Sequence, residues 1–132
     1  MLLLVGGLVG CSPSGPSEDR GDVKVGTITL GRAIAPDGMI VPDSATSLFW
    51  TTDTFYASVA TSGSAPSATL KARWVNSDGA VVSESEKTLS PQGPMVTAFQ
   101  ASPPSDRWPA GDYKVEVFLN GVSVATRDLN AR

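Results

Sequence analysis

Residues 111–126 read Gly111-Asp112-Tyr113-Lys114-Val115-Glu116-Val117-Phe118-Leu119-Asn120-Gly121-Val122-Ser123-Val124-Ala125-Thr126. Tyr113, Val115, Val117 and Leu119 alternate with Lys114, Glu116 and Phe118, the two-residue period of a strand with one buried face. Asn120-Gly121 follows, two residues that tolerate positive φ and so mark a type I′ turn. Val122, Val124 and Thr126 return. A two-residue loop predicts the pairs Leu119–Val122, Val117–Val124 and Val115–Thr126, all on one face. This is a β-hairpin.

The same reading extends upstream. Val23, Val25, Ile28 and Leu30 form a first strand whose phase slips near Gly26, as a β-bulge would make it. Pro36-Asp37-Gly38 is a turn. Phe55, Ala57, Val59 and Thr61 alternate, and a small-residue loop over Ser62–Ser67 follows. Leu70, Ala72 and Trp74 face one way while Lys71 and Arg73 face the other. Asn76-Ser77-Asp78-Gly79 is a hairpin loop into Val81–Leu89, where Glu84 and Glu86 share a solvated face. Met95, Thr97, Phe99 and Ala101 alternate again. Turn residues recur about every 8–14 positions, the pattern of an antiparallel sandwich. No window of a dozen residues keeps a 3.6-residue apolar period free of Gly, Pro or β-branched runs, so a helical fold is excluded.

Pro109-Ala110-Gly111-Asp112-Tyr113-Lys114-Val115 resembles the approach to the sixth strand of immunoglobulin-like and fibronectin-like domains. The resemblance implies an all-β, immunoglobulin-like antiparallel sandwich of about seven strands over residues 23–132. It further implies that the Tyr113 hydroxyl bonds backbone upstream as a tyrosine corner, and that Trp74 is the core tryptophan. Val59 and Val115 would stand where antibody domains carry their disulfide. A fold of this kind does not carry a function with it.

The chain has 132 residues, 41% hydrophobic and 17% charged, with 13 glycines and 10 prolines. That length suits one domain with one modest core. The net charge of −3 argues against a nucleic-acid-binding surface, which needs a dense basic stripe. It argues equally against electrostatic attachment to anionic lipid. There is no histidine, which removes the commonest general base and the commonest transition-metal ligand. The single cysteine, Cys11, leaves the folded region without a disulfide, a Cys-based zinc site or a thiol nucleophile.

Met1–Gly10 reads MLLLVGGLVG, an uncharged apolar run. It is too short to span a bilayer as a helix, which takes about 20 residues, and matches the hydrophobic region of a secretory signal. Leu8-Val9-Gly10-Cys11 resembles the lipobox of bacterial lipoproteins. That resemblance implies a diacylglyceryl group on the Cys11 thiol and cleavage just before it. The missing Lys or Arg near Met1 departs from the pattern and predicts a natural start further upstream. Residues 11–22 follow as lipidated cysteine and flexible tether, rich in Ser, Pro, Gly and charge. Ser12 after the cysteine resembles the outer-membrane sorting pattern of enterobacterial lipoproteins. The expected location is the bacterial cell envelope, the membrane being engaged through lipid on Cys11.

Carboxylate pairs that could do acid–base chemistry are Asp37 with Asp43, Glu84 with Glu86, and Asp106 with Asp112. Turn and solvent-face positions account for them without chemistry. No loop carries the converging oxygen ligands of a calcium site. Serines are abundant, but no activating base accompanies them. The sequence therefore predicts a non-enzymatic protein without a cofactor or metal. Binding is the better lead, through Phe49, Trp50 or Trp108. Phe49 and Trp50 are adjacent and cannot both point inward on a strand, so one of them faces out. An exposed indole could stack on a sugar ring or fill a partner's pocket, whereas a buried one plugs an end of the sandwich. The reading is of an envelope lipoprotein whose domain binds protein or glycan. A purely structural or adhesive surface module is the alternative, and a hydrolase or hydrolase inhibitor the remote one.

Overall fold

A computed structural model of the chain describes residues 23–132; the expected signal segment, Cys11 and the expected tether lie outside the described residues. Eight strands form two sheets. They are β1 (Lys24–Gly31), β2 (Leu48–Phe49), β3 (Phe55–Ser62), β4 (Ala68–Asn76), β5 (Val81–Leu89), β6 (Met95–Ala101), β7 (Gly111–Leu119) and β8 (Val122–Ala131). One sheet has the order β1-β3-β6 and the other β2-β8-β7-β4-β5. All pairings are antiparallel except β2 with β8, which is parallel. This is the immunoglobulin-like sandwich that the resemblance implies, with β2 as a strand beyond the seven expected. Two residues are too few to show a period, so β2 is invisible to any periodicity argument.

The inward faces are those that alternate. Ala57, Val59, Leu70, Ala72, Trp74, Val115 and Val117 are all fully buried, and Phe99 and Ala101 nearly so. Val59 and Val115 do stand in the core beside Trp74. In β1, Val25 pairs with Thr61 and Ile28 with Val59, so two residues oppose one and the slip at Gly26 is a bulge. The Tyr113 hydroxyl donates to the Pro109 carbonyl at 2.5 Å, closing the tyrosine corner. Asn76, rather than Asp78, holds its hairpin loop, its side-chain oxygen accepting from both Asp78 N and Ala80 N at 3.0 Å.

The final hairpin requires a correction. Asn120 and Gly121 take φ of 52° and 86°, as the type I′ turn demands. Asn120 is also tied across to β4, its side-chain oxygen accepting from Thr69 N at 2.9 Å. Leu119 pairs with Val122, but beyond Ser123 the register shifts by one. Val117 then faces Ala125, Val115 faces Arg127 and Tyr113 faces Leu129. The extra residue is Val124. Because the side-chain period is two, that slip turns the rest of β8 over. Leu129 and Ala131 become core residues, 3% and 1% exposed, while Val122 and Val124 face solvent.

The connection from β1 to β2 folds back over the strand end. Ile40 is buried, Pro42–Ser44 form a 3-10 turn, and the Ser44 hydroxyl accepts from Ala33 N at 3.2 Å. A Cβ on Gly31 would collide with the Ile40 side chain and lie 3.1 Å from the Ser44 carbonyl oxygen. Gly31→Ala should therefore lower the unfolding free energy by about 1–3 kcal/mol through overpacking, read as an earlier urea midpoint at constant slope.

Burial pushes the Tyr113 phenol above its ordinary 10.0. A raised folded-state value contributes stability below the unfolded value and loses it as pH rises through the folded one. Tyr113→Phe should cost about 1 kcal/mol at neutral pH, the net worth of a hydrogen bond. Measured by urea unfolding, the gap from the parent should narrow above pH 10.

Candidate functional site

The segment between β2 and β3 is a tight turn bonded on every side. Asp53 N donates to the Trp50 carbonyl at 3.0 Å. The Asp53 carboxylate accepts from Trp50 N at 2.8 Å and pairs with Arg32 Nε at 3.2 Å. Arg32 Nη2 continues to the Leu48 carbonyl at 3.1 Å. From the other side, Trp108 N donates to the Thr51 carbonyl at 2.7 Å and Trp108 Nε1 to the Asp53 carbonyl at 2.8 Å. Arg132 brackets the strand, its N donating to the Phe49 carbonyl and its carbonyl accepting from Thr51 N.

On extended backbone, neighbouring side chains point to opposite faces. Phe49 therefore turns into the core at 1% exposure and Trp50 turns out at 57%. Trp108 is also at 1%, stacked on Phe55 with ring centres 4.3 Å apart and an interplanar angle of 6°. Of the three aromatic candidates, Phe49 and Trp108 plug this end of the sandwich, so neither can meet a partner; Trp50 can. Sequence reasoning missed what surrounds it. Arg32, Thr46, Leu48, Phe49, Trp50 and Arg132 line a cavity of about 350 Å³. The Arg32 guanidinium lies 5.8 Å from the Trp50 ring centre. Arg32 is 18 residues before Trp50 and Arg132 is 82 after it, so only the fold brings them together.

Two larger hollows are less suited to chemistry. The cleft of about 560 Å³ between β1 and β8 counts four threonines among its nine lining residues. Its one cation, Arg127, donates to the Ile28 carbonyl at 2.8 Å and so bridges the two sheets. A hollow of about 480 Å³ beside Asn76 and Lys114 carries no exposed aromatic residue.

Three of the six carboxylate candidates have local duties. Glu84 accepts from Arg73 Nε at 2.7 Å across the strands, and that bond holds its carboxyl below the ordinary range. Asp37 accepts from Met39 N, and Asp112 accepts from the Asn130 side chain. Among the described residues no cluster of three or more His, Cys, Asp or Glu could hold a metal ion. Among them, too, no helix is long and apolar enough to cross a membrane.

No family model matches this sequence, and no curated protein matches it. Solved structures do share the fold. An immunoglobulin-like protein from Pseudomonas aeruginosa superposes with a TM-score of 0.53 at 17% identity, over 86% of this chain and 98% of that one. The CARDB domain of a Pyrococcus furiosus protein, solved in complex with di-metal ions, gives 0.52 at 14% identity, over 84% and 88%. The alkylpurine DNA glycosylase AlkC of Pseudomonas fluorescens, bound to DNA containing an abasic-site analogue, gives 0.56 at 13% identity over 85% of this chain. This chain spans 31% of that glycosylase's length. At such identities the likeness is one of fold: a two-sheet immunoglobulin-like module.

The burial contrast is directly measurable. Trp74 and Trp108 are 0% and 1% exposed, Trp50 57%. Acrylamide should quench one component of the tryptophan emission, and Trp50→Phe should remove that component while leaving the unfolding midpoint within about 0.5 kcal/mol of the parent.

Proposed function

We propose that this chain is a cell-envelope lipoprotein, anchored in a membrane through lipid on Cys11, whose immunoglobulin-like domain is a non-enzymatic module that binds a protein or glycan. The observation that carries the binding half is Trp50, a large apolar ring held outward on a turn with no freedom to bury it. An exposed indole on rigid backbone loses little entropy when it is covered, which is why such residues anchor interfaces. The anchoring half rests on Leu8-Val9-Gly10-Cys11. Two or three acyl chains, each buried methylene contributing about 0.8 kcal/mol, hold a protein firmly at a bilayer.

The placement of the two ends suits this reading. Lys24, where β1 begins, pairs with Ser62, whereas Gly31 at its other end pairs with Tyr56, next to Phe55 and the Trp50 turn. Eight residues of strand separate these poles by about 25 Å. A tether entering at Val23 thus joins the domain at the pole away from Trp50, which keeps the attachment point clear of the indole. Partners of the structural neighbours do not transfer. For DNA in particular, the net charge of −3 speaks against a duplex partner.

The test is a membrane extraction followed by mass spectrometry and affinity capture. The parent should yield an N-terminal peptide beginning at diacylglyceryl-modified Cys11, and Cys11→Ala should be released from the membrane fraction. Captured from detergent-solubilised envelope after crosslinking, the parent should retain partners that Trp50→Ala loses. An unmodified N-terminal peptide running through Met1-Leu2 would refute the anchor. Identical capture by parent and Trp50→Ala would refute the binding surface and leave a decorative surface module.

A further inference from the structure

We infer that the cavity beside Trp50 is a binding site for an acidic sugar, the carboxylate of a uronate-type ring engaging Arg32 and Arg132 while the ring's C–H face rests on the indole. The inference deepens the proposed binding function and rests on it. Three observations carry it. The first is charge. In a chain of net charge −3, two arginines line this hollow, and the Asp53 carboxylate pairs with only one of them. The Arg132 side chain takes part in no ion pair among the described residues. A guanidinium fork matches the two oxygens of a carboxylate in its own plane, so a carboxylate is the anion the pair would hold best.

The second is orientation. Arg32 is fixed at two points, by Asp53 at 3.2 Å and by the Leu48 carbonyl at 3.1 Å, and its guanidinium stands 5.8 Å from the centre of the Trp50 ring. The indole and the cation therefore stand together in the wall of one small volume. A pyranose carrying a carboxyl group has the complementary parts on one rigid ring, an apolar face and a charged substituent. Both can be met without ordering a flexible chain, which keeps the entropic cost of binding low.

The third is size. A cavity of about 350 Å³ lies at the small end of ligand pockets, which run from roughly 300 to 1,000 Å³. Only Trp50 and Leu48 offer exposed apolar surface there. A specific protein interface typically covers about 800 Å² on each partner. The hollow therefore fits a sugar ring better than a protein segment. Thr46 at the rim adds a hydroxyl, although that group already exchanges hydrogen bonds with Leu48 N and the Leu48 carbonyl.

The full chain in detergent would be titrated with tetragalacturonate, a neutral galactose tetrasaccharide and a tetraglutamate peptide, followed by calorimetry and tryptophan emission. Tetragalacturonate should bind saturably with a blue shift of the emission, at least tenfold more tightly than either other probe, and more weakly as salt rises. Trp50→Ala and Arg132→Gln should each lower its affinity at least tenfold, with urea unfolding of each variant confirming a folded domain. Equal binding of the neutral sugar would overturn the role of the arginines, and equal binding of the peptide would overturn the sugar; either leaves Trp50 as a binding surface. Should no probe bind while Trp50→Ala still loses envelope partners, the acidic-sugar assignment alone fails. With neither probe binding nor Trp50-dependent capture, the proposed function fails with it.

Discussion

The packing of four aromatic rings around Phe55 is the contact on which the rest of this domain depends. Phe55 lies 4.8 Å from Phe49, 4.3 Å from Trp108, 5.5 Å from Tyr113 and 5.8 Å from Trp74, measured between ring centres. These residues come from β2, β3, β4, β7 and the loop before β7, so one cluster joins both sheets. Buried aromatic side chains are the largest apolar surfaces available, and offset or edge-on pairs add about 0.5–1.5 kcal/mol each. The cluster also tolerates an imperfection. Trp74 Nε1 is buried with no hydrogen-bond partner among the described residues, so Trp74 is retained for the volume of its ring.

Most of the fold was legible because most of it is written with period two. β3, β4, β6 and β7 each bury every second residue, and the connections that follow them carry Gly or Asn at positive φ everywhere but at Ser105. What the sequence hid falls into two physical kinds. One is the bulge at Val124. Val-Ser-Val-Ala-Thr continues the alternation of an unbroken strand, and only pairing with β7 reveals the added residue. The consequence is large, since it exchanges Val122 and Val124 for Leu129 and Ala131 in the core. The other kind is short and aperiodic: β2, the buried Ile40, and Pro91, which is fully buried where only a loop could be read.

The candidate site divides along the same line. That one of Phe49 and Trp50 must face outward follows from strand geometry and needs no structure. Which one does, and that Trp108 is sealed inside, depends on the aromatic cluster. The arginines were beyond reach, because residues 32, 50 and 132 meet only after β2 has paired with the end of β8. A sequence pattern records neighbours at fixed spacing. It does not record neighbours made by a parallel pairing of strands that are some eighty residues apart.

Asp53 shows how the stability of this end and the proposed binding face are joined. Its backbone carbonyl takes the Trp108 indole, which seals the core, and its carboxylate takes both Trp50 N and Arg32 Nε, which aim the outer surface. A change that loosens the turn therefore loosens the aromatic plug and the exposed platform together. The carboxylate also has an electrostatic effect. It offsets the Arg32 guanidinium, which it meets at 3.2 Å. Neutralising it would leave the Arg32 guanidinium without its ion-pair partner. The Trp50 turn is thus held by the same bonds that keep Arg32 in place, and the outward orientation of Trp50 is a by-product of closing the core.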